Sequence, residues 1–284
     1  MNKILIILAG SPRGGNKTWK SFIDNCKNPL NADLALCTTD KYVSNNILFK
    51  EAKYKWISKE YEDWFDYYKN EYSNKLVNYF KKGTNTGLYT SGLIHFAFKD
   101  IILKNYINIV NNYDFVIYSR FDQYYLSHPT QFEENKILIP EGEDYFGICD
   151  RHAIFPSKFA EQYFGICKYI DSSDTEKYSD PYLNCEVTYL NHLMNEDLFH
   201  SVKRIKRSQF TTAIKGDLTN WRVPKYKLIF FNKILLKYPD EFILTMKNNF
   251  YFRYSVSFDY IILLINYLIL ITRFKLGKFK KFIL

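Results

Sequence analysis

Arg120 and Asp122 stand two residues apart, just past Tyr113-Asp-Phe-Val-Ile-Tyr118, an aromatic and β-branched run without a breaker. Such a run reads as a short buried strand. At a strand end a spacing of two points both side chains the same way. Ligands of open α/β sheets bind outside the carboxyl ends of strands, so an Arg and an Asp placed there can hold a phosphate and a divalent cation. A surface ion pair is the plainer reading of the same two residues. A second dense stretch, Ile137–Ser157, carries Glu141, Glu143, Asp144, Asp150, Arg151 and His152 around short apolar runs. Its Asp150-Arg151-His152 sets a candidate base, an anion binder and an imidazole side by side, on a loop of the kind that carries chemistry. A polar hairpin with capping carboxylates is the alternative. Glu186 sits near the start of a helical pattern, Asn184–Leu193, where the helix dipole by itself stabilises a carboxylate.

The elements that position these residues alternate strand and helix. Lys3–Ala9 reads as a first buried strand; its apolar core is too short for a signal-peptide h-region. Gly10-Ser-Pro-Arg-Gly-Gly-Asn-Lys-Thr18 follows and leads into a helical pattern from Trp19 to about Cys26. A glycine-bearing loop between strand and helix is an anion site, because free N–H groups converge there. A P-loop needs G-x-x-x-x-G-K-[ST]; Gly10 and Gly15 fit, but Asn16 displaces Lys17-Thr18 by one residue. A second strand, about Asp33–Cys37, ends in Thr38-Thr39-Asp40, a carboxylate placed for ribose or base contacts. Tyr54–Ile57 reads as a short strand, Trp64–Phe80 as one or two amphipathic helices, and Leu93–Asn111 as a helix after the Gly/Thr/Ser-rich loop Gly83–Gly92. His95 on that helix has no ligand partner at i+4 and reads as structural. Ser208–Ala213 reads as the last central strand.

Composition bounds the partners. The chain of 284 residues has 39 Lys and Arg against 30 Asp and Glu, a net charge of +9. That balance favours nucleotide phosphates, nucleic acid or an acidic membrane surface, and no nucleic-acid motif accompanies it. Five widely spaced Cys form neither a disulfide framework nor a zinc site and suit a reducing cytosol. We therefore expect a cytoplasmic protein. At the C-terminus, Tyr260–Ile271 is a dense apolar run, shorter than the roughly 20 residues that span a bilayer. Arg273, Lys275, Lys278, Lys280 and Lys281 follow it, interleaved with Phe and Leu. This pattern reads as an interfacial helix on an anionic leaflet, or as a core helix with a solvated basic tail.

Three stretches, Gly10-x-Pro12-Arg13, Pro29-Leu-Asn-Ala-Asp33 and Ser119-Arg-Phe-Asp122, together resemble a family of bacterial and viral glycosyltransferase-like proteins of surface polysaccharide and lipopolysaccharide synthesis. A Gly142-Glu-Asp-Tyr145…Asp150-Arg-His152 order, a Glu at the start of a late helix (Glu186), and a Thr-x-Trp tail in Asp217–Arg222 extend the resemblance to about residues 3–225. The resemblance implies an α/β, Rossmann-like fold of GT-A type: a mixed, mostly parallel sheet with helices on both faces. It implies a nucleotide-sugar domain over 1–225, with 226–284 a helical, hydrophobic and basic extension. On this reading Gly10, Pro12, Arg13 and Asp40 hold the nucleotide, Arg120 grips the diphosphate, and Asp122 does so through Mg²⁺ or Mn²⁺. Arg151 and His152 contact substrate, and Asp150, or second Glu186, is the base for an inverting transfer to a glycan or lipid-linked acceptor. An Arg stands where the usual Asp-x-Asp metal motif has its first Asp. Two other classes fit parts of the chain. Gly10-Ser-Pro-Arg13 is also similar to the phosphate loop of flavodoxin-like FMN reductases, and net charge alone suits a non-enzymatic membrane-surface binder.

Overall fold

Six consecutive apolar residues, Ile4–Ala9, form the first strand, and all six are buried. A strand covered on both faces is apolar throughout rather than alternating, which is why this run carries no polar residue. The computed structural model describes residues 2–83, 88–172, 183–217, 227–229, 234–249 and 258–283. In chain order it runs β1 (Ile4–Ala9), α1 (Gly15–Phe22), β2 (Asp33–Thr39), α2 (Ile47–Glu51), β3 (Tyr54–Ser58), α3 (Trp64–Glu71) and α4 (Asn74–Lys82). Then come α5 (Leu93–Val110), β4 (Phe115–Arg120), β5 (Gln123–Tyr125), β6 (Ile137–Pro140), β7 (His152–Pro156), α6 (Ala160–Phe164), α7 (Ile166–Ser172) and α8 (Cys185–Asn195). The chain continues through β8 (Val202–Ile205), β9 (Gln209–Ala213), β10 (Lys227–Ile229) and β11 (Ile234–Leu236) to α9 (Pro239–Asn249) and α10 (Phe258–Ile283).

Contacts divide the chain into two compact units, neither continuous in sequence. The first comprises Met1–Pro12, Lys27–Phe121 and Pro129–Ile205; the second comprises Arg13–Cys26, Asp122–His128 and Lys206–Leu284.

The first unit is α/β. Its seven-stranded sheet has the order β3-β2-β1-β4-β7-β6-β8. The β3-β2-β1-β4 run and the β6-β8 pair are parallel, while β7 runs antiparallel to both β4 and β6. The sheet is therefore mixed and mostly parallel. Alternate residues Leu5, Ile7, Ala35, Cys37, Val116 and Tyr118 share one core with Phe65 and Tyr68 of α3, Phe80 of α4 and Phe96 and Ile102 of α5. The first half of α5, through Leu103, is mostly apolar and buried, while Lys104, Asn105 and Asn108 of its second half are exposed. Two charged residues nevertheless lie fully buried on it, Lys99 and Asp100. Asp100 is satisfied by the hydroxyls of Tyr67 and Tyr72 and by Lys104.

The second unit holds a four-stranded sheet, β10-β11-β9-β5. Helix α1 is tied to β5: the Tyr125 N–H donates to Ser21 Oγ (3.1 Å), and the Asn25 amide donates to the Tyr125 carbonyl (2.9 Å). Helix α9 is tied to β9 by a buried carboxylate, Glu241, which accepts the Thr211 N–H (2.7 Å) and Arg207 Nη1 (3.0 Å). Tyr124, Phe210, Leu236, Phe242 and Met246 fill its core, with Tyr260 and Leu263 of α10.

Several expectations change in detail. The strand expected over Tyr113–Tyr118 is Phe115–Arg120, so Arg120 closes the strand and Asp122 lies in the turn beyond it. Strand alternation therefore does not carry from Arg120 to Asp122. The helix expected from Trp19 begins at Gly15, because Gly14 is left-handed (φ 92°) and starts the helix four residues early. Ser208–Ala213, expected as the last central strand, is β9 and pairs β5 and β11 in the smaller sheet. Trp64–Phe80 resolves into two helices, α3 and α4. Residues 84–87 of the Gly83–Gly92 loop and 218–222 of the Thr-x-Trp stretch lie outside the described residues. Among the described residues no helix is long and apolar enough to cross a membrane.

Candidate functional site

Strand β1 ends at Ala9, whose register partners are Arg120 of β4 and Cys37 of β2. Strands β2 and β3 lie on one side of β1 and β4 lies on the other, so the chain reverses its direction of travel across the sheet between β1 and β4. Ligands of open α/β sheets bind outside the carboxyl ends of the strands at such a point. Gly10 and Pro12 follow β1, Asp40 follows β2, and Arg120 ends β4, which sets four of the expected binding residues along this edge of the first unit. Asp40 is exposed, with its Oδ1 accepting the N–H groups of Lys41 (2.9 Å) and Glu60 (3.0 Å). Arg13 and Asp122 belong to the second unit.

The glycine loop is less open to anions than its sequence suggests. The Gly10 N–H donates to the Cys37 carbonyl (3.0 Å), and the Gly14 N–H donates to the Asp217 carboxylate (3.0 Å). A phosphate cradle needs such N–H groups free and no carboxylate on them. A Cβ at Gly14 would also lie 3.0 Å from Thr18 Cγ2 and 3.2 Å from Thr212 Oγ1. Close packing and a positive φ thus account for this glycine without a ligand.

The denser chemistry surrounds Asp150. His95 Nε2, from α5, lies 3.0 Å from Asp150 Oδ2 and 3.1 Å from its carbonyl oxygen. Both are acceptors, so Nε2 carries the proton, and Nδ1 faces the Tyr118 hydroxyl at 3.5 Å. Lys99, one turn on from His95, is fully buried; its Nζ lies 3.7 Å from the Tyr189 ring centroid and has no hydrogen-bond partner among the described residues. The rings of Tyr163 and Tyr118 lie 4.9 and 5.2 Å from it. Burial pulls the Lys99 amine down to about 8 against the pull of Asp150. Burial also lowers the His95 imidazole, opposed by Asp150 and aided by Lys99 and Arg120. Burial raises the Asp150 carboxyl, but His95, Lys99 and Arg151 overcome it and hold that group well below the usual carboxylate range. His95, read in sequence as structural, is a hydrogen-bonded histidine. Its partner arrives from 55 residues downstream. The available signal was a His and a Lys four apart in the mostly apolar first half of the helix.

The loop before Asp150 is bent and tightly held. Gly142, Glu143, Tyr145 and Phe146 all have positive φ, between 43° and 84°. Arg204 Nη2 donates to both the Asp144 carboxylate (2.9 Å) and the Pro140 carbonyl (2.7 Å), while Asp144 accepts the Cys149 N–H. The loop then docks on the first turn of α8. The Ile148 N–H donates to the Glu186 carbonyl (3.1 Å), and a Cβ at Gly147 would fall 2.1 Å from the Glu186 carbonyl carbon. Asn184 caps α8 by accepting the Val187 N–H, and its amide donates to the Tyr145 carbonyl. Glu186 is thus held within electrostatic reach of Asp150. Burial, and then the Asp150 charge, push its carboxyl up to about 8 against the pull of Arg151.

Asp150, Arg151 and Glu186 are brought together, with Arg120 within electrostatic reach of His95. His152 opens β7, opposite Ser119 in the register, with Nδ1 3.2 Å from Ser119 Oγ in a buried contact. Asp122 is buried, and its carbonyl accepts the Thr212 N–H (2.8 Å). It is the one carboxylate of the Arg-x-Asp pair. Among the described residues no three or more His, Cys, Asp or Glu gather as a metal-ligating group. A single carboxylate, completed by phosphate oxygens and water, is a common way of holding Mg²⁺, and the donor class fits.

A scan against family models and a search of curated proteins both return no match.

Proposed function

We propose that the chain is a glycosyltransferase of GT-A type, moving a sugar from a nucleoside-diphosphate donor to a surface-glycan or lipid-linked acceptor. The observation that carries this reading is the carboxyl edge of the sheet in the first unit. There Arg120 ends β4 beside the switch point, and two carboxylates of opposite tuning, Asp150 and Glu186, stand within reach of each other. Paired groups whose environments drive their pKa values apart mark acid–base chemistry.

The sequence favours Asp150 as base and Glu186 second; the reverse order is proposed here on the opposite shifts of the two carboxyls. A carboxylate held ionised by a histidine, a lysine and an arginine is a weak proton acceptor. One raised to about 8 is matched to neutral conditions. Glu186 takes the proton of the acceptor hydroxyl. The oxygen then attacks the anomeric carbon as the bond to the diphosphate breaks, and the nucleoside diphosphate leaves with the electron pair. Arg120 faces the phosphate charge, and Asp40 and the Gly10–Pro12 turn take the nucleoside. Asp150 keeps His95 in place. Asp122, in the second unit, would hold Mg²⁺ or Mn²⁺.

The flavin-reductase alternative depends on the glycine loop, and the Asp217 carboxylate on the Gly14 N–H weighs against it. A thermal-shift panel decides between the readings, since a ligand that binds the folded state raises Tm. Nucleoside-diphosphate sugars, with and without Mn²⁺, should raise Tm and FMN should not. The opposite pattern overturns the proposal.

A further inference from the structure

Helix α10 buries one side in the second unit and leaves an apolar stripe on the other. Tyr260, Ile262, Leu263 and Leu270 pack into the core with Phe242 and Met246. Ile261, Ile265, Leu268 and Ile269 are 42%, 46%, 54% and 39% exposed, at the i, i+4, i+7 and i+8 spacing of a single helix face. Asn266 and Thr272 turn their polar groups back onto the helix. Asn266 Nδ2 donates to the Ile262 carbonyl (2.7 Å), and Thr272 Oγ1 donates to the Leu268 carbonyl (2.8 Å). The helix continues to Ile283. In sequence, Leu276, Phe279 and Ile283 extend the same spacing, and Arg273, Lys275, Lys278, Lys280 and Lys281 lie among them. No acidic residue follows Asp259.

We propose that this face of α10 docks on an anionic lipid bilayer, with the helix lying along the surface. An exposed aliphatic stripe followed by five cations and no anion matches a surface that offers acyl chains beneath negative headgroups. It matches a second protein copy poorly, because a chain of net charge +9 would bring like-charged tails together. The inference concerns the second unit and stands independently of the proposed reaction.

The test is co-sedimentation of the full chain with vesicles of phosphatidylcholine alone and of phosphatidylcholine mixed with phosphatidylglycerol. The native chain should pellet with the mixed vesicles, and less so at high salt or with neutral lipid. Ile265→Asp with Leu268→Asp changes exposed positions only, so the fold should hold, checked by an unchanged Tm, while vesicle affinity falls at least about tenfold. Lys278→Gln, Lys280→Gln and Lys281→Gln together should cost roughly fivefold per charge removed. Equal pelleting of the native chain and the Ile265→Asp/Leu268→Asp variant overturns the proposal. So does an oligomer that this variant dissociates while the native chain ignores vesicles, which would make a second copy the occupant.

Discussion

His95 Nε2 lies 3.0 Å from Asp150 Oδ2, a contact between a helix and a loop that joins residues 55 positions apart. It makes the imidazole a fixed N–H donor and keeps a buried carboxylate ionised. Removing one partner of such a buried pair leaves the other without compensation. His95→Ala should therefore lower stability at pH 7 by about 1.5–3 kcal/mol, the usual range for a hydrogen bond to a charged group. His95→Gln, which still offers an N–H, should lose less. Urea denaturation of both variants checks this; equal losses would show that packing, and not the hydrogen bond, is what His95 supplies.

The depressed Asp150 carboxyl has a signed consequence. A group whose folded pKa lies below its ordinary value of 3.8 stabilises the protein above that value, and the contribution is lost as pH falls through the folded pKa. Asp150→Asn should be less stable near neutrality, and its stability should decline less steeply below about pH 4. Parallel Tm-against-pH curves for the two proteins would contradict this.

Glu186 has the opposite sign. With its folded pKa near 8 against an ordinary 4.5, its stabilising contribution is complete below 4.5 and is lost as pH rises toward 8. Glu186→Gln should flatten the Tm decline over that window. If Glu186 is the base, turnover by the native chain should climb through an inflection near 8. Glu186→Gln should then reduce kcat by about 10²-fold or more while sparing donor affinity. A variant that keeps kcat and loses only affinity would assign Glu186 to binding.

Gly147 passes so close to Glu186 that a Cβ would sit 2.1 Å from its carbonyl carbon. Gly147→Ala must push the loop off α8 and break the Ile148–Glu186 hydrogen bond, at about 1–3 kcal/mol, the usual cost of overpacking. The loop also carries Phe146, 82% exposed in a left-handed conformation. Phe146→Ala should leave Tm unchanged, which separates loop position from loop composition in the same assay.

Arg120→Ala should weaken nucleoside-diphosphate ligands more than the free nucleoside, because its proposed partner is phosphate. Asp122→Asn should weaken binding of Mn²⁺ itself and leave metal-free nucleotide affinity alone. Calorimetric titration reads both, and equal losses for nucleoside and diphosphate would make Arg120 structural.

What the sequence by itself determined is local. Strand β1 follows from six apolar residues in a row, α8 from the helical pattern over Asn184–Leu193, and the start of α5 from the apolar run that follows the glycine-bearing loop. The loop from Glu141 to Asp150 was legible as a place where charge exceeds what packing requires. These features depend on neighbours within about one or two turns or one strand, and their periods are written in the chain. The tertiary structure decided the rest. It placed β9 in the small sheet rather than the large one, because a short strand-forming run does not specify which edge it will pair with. It set His95 and Lys99 against Asp150, and it ordered the two carboxylates by burying both among different charges. Desolvation and Coulomb energy depend on the distance between side chains far apart in sequence, and those distances exist only once α5, the Asp150 loop and α8 have packed together.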